Sequence, residues 1–311
     1  MSIKTNARFI ITGASSRIGR ALALKLAKKY RARLVLCARS EGDLAATKKQ
    51  IEDDYAGRAT IVKADLALSR DGGDDDIQKR LVEIAQNEYG GLDGIVNNAG
   101  MGSPGAFTAL SIEDWRRLFE VNFFGALKLI QYALPAMDAT EGSARKIVNI
   151  SSVAGKVAIP GSVSYCASKF ALTALSEGIA AELHSTGVDV LTVCPGWVRT
   201  EFFEKNHVPD IKNPTLMAQG NDVKGFLMKN ILSISTEQCV NDIMHALDAG
   251  GSKELIQTLQ ALDDFAWQCL YQLFRCWRLK RVDTDTARQS RRAPAWRGTK
   301  SGEEIGEDGA D

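Results

Sequence analysis

The feature that most constrains this chain is an alternation, kept up over its first 195 residues, of short β-branched runs with longer segments of helical period. Such alternation builds repeated β-α-β units, and right-handed crossovers between parallel strands put helices on both faces of one sheet. Arg8 to Thr12, Arg33 to Ala38, Thr60 to Ala64, Gly94 to Asn97, Lys146 to Ser151 and Asp189 to Cys194 read as strands. Each is nearly all apolar, as strands covered on both faces must be. Between them Ile18 to Tyr30, Glu41 to Tyr55, Asp76 to Tyr89, Ile112 to Met137 and Ser164 to Ser185 carry helical spacing. The expected fold class is α/β, a doubly wound parallel sheet.

Beyond Pro195 the pattern changes. Residues 201 to 235 mix Pro209, Pro214, Gly220 and Gly225 with Phe202, Phe203, Phe226 and Leu227, without a period, which suits a lid or substrate loop. Ser235 to Leu247 reads as a further helix with a Ser cap, and Lys253 to Gln257 as a last strand. One domain over 1–257 is therefore expected, followed by an amphipathic helical extension over 258–281 and a disordered tail over 282–311. Within the extension Leu259, Leu262, Ala266, Cys269, Leu273 and Cys276 form one stripe, widened by Phe265, Trp267, Leu270, Phe274 and Trp277. Two readings stand open for it: a helix packed on its own domain or across a dimer, and an interfacial membrane helix.

Charge narrows the partners. Lys and Arg number 39 against 38 Asp and Glu, a net charge of +1, so no overall field draws nucleic acid or an acidic membrane. The first eight residues are polar, with no charged start leading into an apolar signal core. Six cysteines form no Cys-x-x-Cys pair, and the three histidines do not cluster with them. The expectation is a cytoplasmic protein without a metal site.

Chemistry gathers where the strands end. Thr12-Gly13-Ala14-Ser15-Ser16-Arg17-Ile18-Gly19 follows the first strand and opens a helix. Glycines there allow a tight turn, and the helix start offers amide groups to a pyrophosphate, though a turn of purely structural glycines would read alike. The other strands end at Arg39-Ser40, Asp65, Asn97-Asn98-Ala99-Gly100, Ser151-Ser152 and Pro195-Gly196, and parallel strands bring all these ends to one edge. Tyr165 and Lys169 stand four apart on one helix face, thirteen residues beyond Ser152. A lysine ammonium beside a phenol favours the phenolate, making Tyr165 a usable general acid and base. Asn122 is a polar residue inside an apolar helix, which usually satisfies backbone groups or faces solvent. Cys166, beside Tyr165, has no histidine to activate it and reads as a small buried residue.

Taken together, the glycine loop, the Asn-Asn-Ala-Gly at 97–100, Asn122, Ile150-Ser151-Ser152, Tyr165-x-x-x-Lys169 and Pro195-Gly196-Trp197-Val198-Arg199-Thr200 resemble the short-chain dehydrogenase/reductase superfamily in its simple single-domain branch. The resemblance covers about residues 6 to 257 and implies a Rossmann-like fold. It implies that Ser152 holds the substrate oxygen, Tyr165 exchanges the proton, Lys169 binds the nicotinamide ribose and tunes Tyr165, and Asn122 anchors a water relay. The cofactor would be met by Gly13, Ser15, Ser16, Arg17, Ile18, Gly19, Arg39, Asp65, Leu66, Asn98, Ala99, Gly100, Tyr165, Lys169, Pro195, Gly196, Val198 and Thr200. A homo-oligomer is implied as well.

The loop departs from that pattern at Arg17, which stands where the family has its middle glycine. Arg39 follows the second strand, where NAD users carry an acidic residue and NADP users a basic one, and its planar fork suits a 2′-phosphate. The expected function is an NADP(H)-dependent carbonyl reductase or alcohol dehydrogenase acting on a hydrophobic or amphipathic carbonyl or alcohol, with NAD the lesser cofactor. A catalytically silent NADP(H)-binding sensor or scaffold is the competing class, which would have no use for a proton donor.

Overall fold

The computed structural model describes residues 3–68, 76–102, 107–137, 145–159, 161–198 and 233–257, all within one compact unit, Met1–Gln260. The extension and tail expected over 258–311, and most of the loop expected over 201–235, lie outside the described residues.

The strands are β1 (Arg8–Thr12), β2 (Arg33–Ala38), β3 (Arg58–Lys63), β4 (Gly94–Asn97), β5 (Arg145–Ile150), β6 (Val188–Pro195), β7 (Trp197–Val198), β8 (Ser233–Ile234) and β9 (Lys253–Gln257). Seven of them form one sheet in the order β3-β2-β1-β4-β5-β6-β9, every pair parallel. The two-residue strands β7 and β8 pair separately. The apolar runs of β1, β4 and β5 are buried almost throughout, because helices cover both faces. On one face lie α1 (Arg17–Tyr30), α2 (Glu41–Tyr55) and α7 (Thr236–Ala249), packed on Ile11, Leu36, Val148 and Val193. On the other lie α3 (Ile77–Tyr89), α5 (Gly125–Ala136) and α6 (Val163–Glu182), packed on Ile10, Val35, Ile95 and Val190.

Helix starts follow from local chemistry. Asp76 caps α3 by accepting from the Lys79 amide at 3.3 Å, and Ser235 caps α7 by accepting from Gln238 at 3.0 Å. Ser111 and Asp114 form a reciprocal capping box at the start of α4 (Ile112–Phe119). The single helix expected over Ile112 to Met137 is two helices, α4 and α5, separated by a π-helical segment at Glu120–Phe124. An extra residue in one turn shifts the register of the faces that follow, and functional positions often use this. None of the described helices is long and apolar enough to cross a membrane.

Strands run outward from β1 to β3, return to β4 on the other side of β1, and run outward again, so a crevice opens between the carboxyl ends of β1 and β4. The opposite edge is tied by charge. Arg8 at the start of β1 donates from its amide and Nε to Asp93 Oδ2, both at 2.8 Å, and from its guanidinium to Asp93 Oδ1 at 2.9 Å and Gly90 O at 2.9 Å. Lys4 adds a second cation 3.1 Å from Asp93 Oδ1. Burial works against the charge on Asp93, but its bonds to Arg8 and Lys4 outweigh it and hold the carboxyl below its ordinary value. Removing one member of such a pair strands the other in the interior, so Asp93→Ala should cost about 3–5 kcal/mol in chemical denaturation. Since the folded value is depressed, the stabilisation from Asp93 is present above its ordinary 3.8 and lost as pH falls through the folded value. Acid titration of unfolding should show this loss in the wild type and its absence in Asp93→Ala.

Candidate active site

Thr12 and Asn98 hold the crevice between β1 and β4 in shape. Thr12 Oγ1 accepts from the amides of Asn98 and Ala99, each at 3.0 Å, and donates to Val96 O at 3.3 Å. Asn98 Nδ2 returns bonds to Thr12 O at 3.0 Å and Gly13 O at 3.1 Å. The side chain of Asn98 is thus used to brace the glycine loop. That brace explains two glycines. Gly13 has φ +65, and a Cβ on Gly19 would lie 2.3 Å from Gly13 O and 2.4 Å from Asn98 Nδ2. Arg17 takes φ 53, the left-handed region that glycine enters freely and an arginine enters at a cost. The position therefore retains the conformation of the glycine it lacks.

The first turn of α1 suits an anion. Ser16 precedes it without making a side-chain cap, and the turn contains no acidic residue, leaving its amides directed toward the crevice with the positive end of the helix dipole. Ser15 and Ile18 are half-buried in this loop. These residues fit a dinucleotide pyrophosphate.

At the ends of β4 and β5 the second group assembles. Ser152, two residues beyond β5, opens a short helical turn, Val153–Gly155, by accepting from the Ala154 amide at 3.1 Å. The Tyr165 hydroxyl from the first turns of α6 is hydrogen-bonded to Ser152. Lys169, one turn on, is buried, with Nζ 5.9 Å from the centroid of the Tyr165 ring and donating to Ile150 O at 2.8 Å. A Cβ on Gly100 would stand 3.5 Å from Lys169 Nζ and 3.4 Å from Asn122 Oδ1, so the end of the β4 loop lies directly against both.

Burial pushes the Tyr165 phenol up to about 12, the Ser152 hydrogen bond pulling the other way and Cys166 adding slightly to the rise. It brings the Lys169 ammonium down to about 8, with Cys194 acting in the opposite sense. The shift is upward, opposite to the one expected from a neighbouring ammonium: desolvation of the phenolate is its largest cause, and Lys169 Nζ is directed to Ile150 O.

Asn122 lies in the π-helical segment and is buried. Its Oδ1 accepts from Met101 N at 2.8 Å, while Nδ2 donates to Met101 O at 2.9 Å and Ser168 Oγ at 3.0 Å. Its amide satisfies the backbone beyond Gly100, the structural duty expected of a polar residue in an apolar helix. Cys166 is buried, with Sγ accepting from Ile159 N at 3.2 Å.

At the periphery, Arg39 is exposed at the end of β2, and its guanidinium has no ion pair among the described residues. Asp65 accepts from Ala67 N at 3.1 Å and from Arg117 of α4 at 3.0 Å, while Leu66 is buried beside it. Ala99, Pro195, Gly196 and Val198 lie at the same edge, after or at the ends of β4 and β6. Thr200 lies outside the described residues. Sequence reasoning passed over Met101, Ser168 and Thr173, and gave Thr12 and Ser151 no role of their own. The available signal was the polar stripe Ser164, Ser168, Thr173 and Ser176 on α6, all buried.

Residues 7–209 match the family model for short chain dehydrogenases. An uncharacterized oxidoreductase of Listeria monocytogenes is 37% identical over 206 residues, 66% of this chain and 79% of the relative. A 3beta-hydroxysteroid dehydrogenase of Mediterraneibacter gnavus is 32% identical over 231 residues, 73% of this chain and 79% of the relative. A short chain dehydrogenase/reductase from Burkholderia phymatum, solved in complex with NAD, superposes with a TM-score of 0.69 at 25% identity, covering 82% of this chain and 90% of that one. With its parallel sheet, braced glycine loop and Ser152, Tyr165 and Lys169 on one edge, the chain belongs to the short chain dehydrogenase family of oxidoreductases.

Proposed function

We propose that this chain transfers hydride between NADP(H) and a carbonyl or secondary alcohol of hydrophobic or amphipathic character, in the manner of a carbonyl reductase. The observation that carries this reading is the hydrogen bond between Ser152 and Tyr165, with Lys169 buried beside them against Gly100 at the end of the β4 loop. Three groups with that chemistry at a strand edge suit proton exchange at a substrate oxygen, and a sensor would have no use for it. The 3beta-hydroxysteroid dehydrogenase among the relatives supports an apolar secondary alcohol or its ketone.

The nicotinamide cofactor, when bound, gives or takes the hydride. Gly13, Ser15, Ser16, Arg17, Ile18 and Gly19 would hold its pyrophosphate, Asp65 and Leu66 its adenine end, and Asn98, Ala99, Gly100, Pro195, Gly196, Val198 and Thr200 its remaining length. Ser152 Oγ holds the substrate oxygen and Tyr165 exchanges its proton. Lys169 places a positive charge where a phenolate forms, lowering the cost of proton release in the desolvated site. Asn122 keeps the backbone at Met101 in place beside Lys169.

Arg39 directs the choice of cofactor. An exposed guanidinium at the end of β2 suits a 2′-phosphate, and Arg17 in the same crevice is a second candidate. We also read the protein as a homo-oligomer, supported by exposed Phe107, Ile112 and Phe124 around α4 and α5 and exposed Val163 and Phe170 on α6.

Three measurements test the reading. In a carbonyl screen followed by NADPH absorbance, Tyr165→Phe should lose at least about 100-fold in turnover while its NADPH dissociation constant stays within about twofold, since the hydroxyl serves proton transfer and not the cofactor. A variant retaining a tenth of the rate would remove Tyr165 from that role.

For cofactor choice, charge-assisted bonds of about 1.5–3 kcal/mol predict NADPH binding at least about tenfold tighter than NADH, a gap that narrows with salt. Arg39→Asp should reverse it. Arg17→Gly should melt no lower than wild type, because the left-handed cost disappears, and should lose NADPH but not NADH affinity if Arg17 also grips the phosphate. Equal dissociation constants for the two cofactors in the wild type would refute the assignment of Arg39.

The pH profile of reduction supplies the third. Lys169 loses its proton through about 8 while Tyr165 stays protonated to about 12, so the rate should fall above about pH 8. Lys169→Arg, which does not titrate there, should lack that limb at whatever rate it retains.

A further inference from the structure

Lys156 closes the helical turn that begins at Ser152, and its side chain leaves the turn to reach two other elements. Its Nζ pairs with Glu177 of α6 and stands 2.7 Å from Glu254 Oε1 of β9. Burial opposes the charge on Lys156, but hydrogen bonds to Glu177 and Glu254 outweigh it and hold the ammonium above its ordinary value. Glu254 also accepts from the buried Cys194 Sγ at 3.4 Å, and Cys194 is hydrogen-bonded to Thr173. Thr173 Oγ1 lies 2.7 Å from Ser151 Oγ, which donates to Lys169 O at 3.1 Å. The series starts at one end of the Ser152 turn and returns, through β9, β6 and α6, to the residue before Ser152.

The turn itself is short. Gly155 N bonds to Ser152 O at 2.8 Å and Lys156 N to Val153 O at 3.0 Å, so Lys156 moves with Ser152. A Cβ on Gly155 would meet Thr173 Oγ1 at 2.6 Å and Lys169 O at 2.7 Å, which shows how closely the turn lies on α6. Ion pairs of this kind contribute little when fully exposed, but Lys156 is partly buried and has two carboxylates to hold it, one on the helix that carries Tyr165.

We propose that Lys156 is a positioning residue: by bridging Glu177 and Glu254 it holds the Ser152 turn against α6 and β9 and keeps Ser152 within hydrogen-bond reach of Tyr165. Support for the active site thereby extends to the edge strand β9. The inference rests on the Ser152 and Tyr165 assignments made above.

The test uses the full chain and three variants: Lys156→Met, which keeps the length and loses the charge, Lys156→Arg, which restores it, and Glu254→Gln. One readout needs no substrate. With 3,5-difluorotyrosine placed at position 165, whose more acidic phenol titrates before Lys156 loses its charge, ¹⁹F NMR follows that phenol as Ser152, Cys166 and Lys169 face it. Losing the Ser152 hydrogen bond should raise the midpoint of Lys156→Met by about half to one pH unit, with Glu254→Gln between and Lys156→Arg near wild type. Turnover of Lys156→Met should fall about tenfold with NADPH affinity within about twofold, as misplacement of a catalytic group predicts. An unshifted midpoint in Lys156→Met overturns the proposal, and so does a lower melting temperature without a shift. Were no carbonyl reduced by the wild type, the catalytic reading would fail while the NMR titration still decided the positioning role.

Discussion

The junction of β1 and β4 is the constraint on which the carboxyl edge depends. Two strands far apart in sequence become neighbours there, and Thr12 and Gly13 on one side meet Asn98 and Ala99 on the other through four hydrogen bonds, two from backbone amides and two from the Asn98 side-chain amide. Backbone groups just beyond strand ends have no ladder partner, and burying them without one would be costly. Satisfying them from side chains fixes the glycine loop in the shape that brings α1 toward the crevice. The glycines follow from that closeness: with Asn98 packed against Gly13 and Gly19, there is no volume for a side chain at either.

The same economy of buried polar groups shapes the rest of the site. Lys169 donates to a strand carbonyl, Asn122 clasps the backbone at Met101, and Ser168 links Asn122 to α6. Helix α6 buries serines and a threonine where an ordinary helix would bury leucines, and two of these rungs, Thr173 on Ser151 and Ser176 on Asn149, align it with the end of β5. Burial has an electrostatic consequence too. It disfavours charge on both Tyr165 and Lys169, keeping the phenol neutral up to about 12 and bringing the ammonium down to about 8.

The two edges of the sheet divide the work. At the amino edge the buried pair Arg8 and Asp93, joined from the surface by Lys4, locks β1 to the start of β4. At the carboxyl edge the charged groups are less completely matched: Arg39 is exposed and the first turn of α1 is uncapped. Groups bonded to each other stabilise, whereas groups left with bonding capacity are available to a ligand.

Strand positions were readable from the sequence because apolar runs such as Phe9 to Ile11 and Ile147 to Val148 have one plausible fate in a two-faced sheet. Tyr165 and Lys169 were readable because helical spacing alone puts them together. Observed bounds differ from expected ones at β3, β5, β6, α1, α3, α6 and α7 by one to three residues, where terminal hydrogen bonds decide. The break at Glu120–Phe124 was invisible, since the apolar period runs through it, and so were the brace by Asn98 and the reach of Lys156 to Glu254. What the sequence by itself determined was local: periodicity, caps, and residue types at strand ends, all set by neighbours within about one turn. What only the tertiary structure decided was which buried polar groups meet and which side of neutrality each titratable group takes, because those depend on atoms brought together from well beyond one helical turn, across 19 residues for Lys169 and Ile150 and 85 for Arg8 and Asp93.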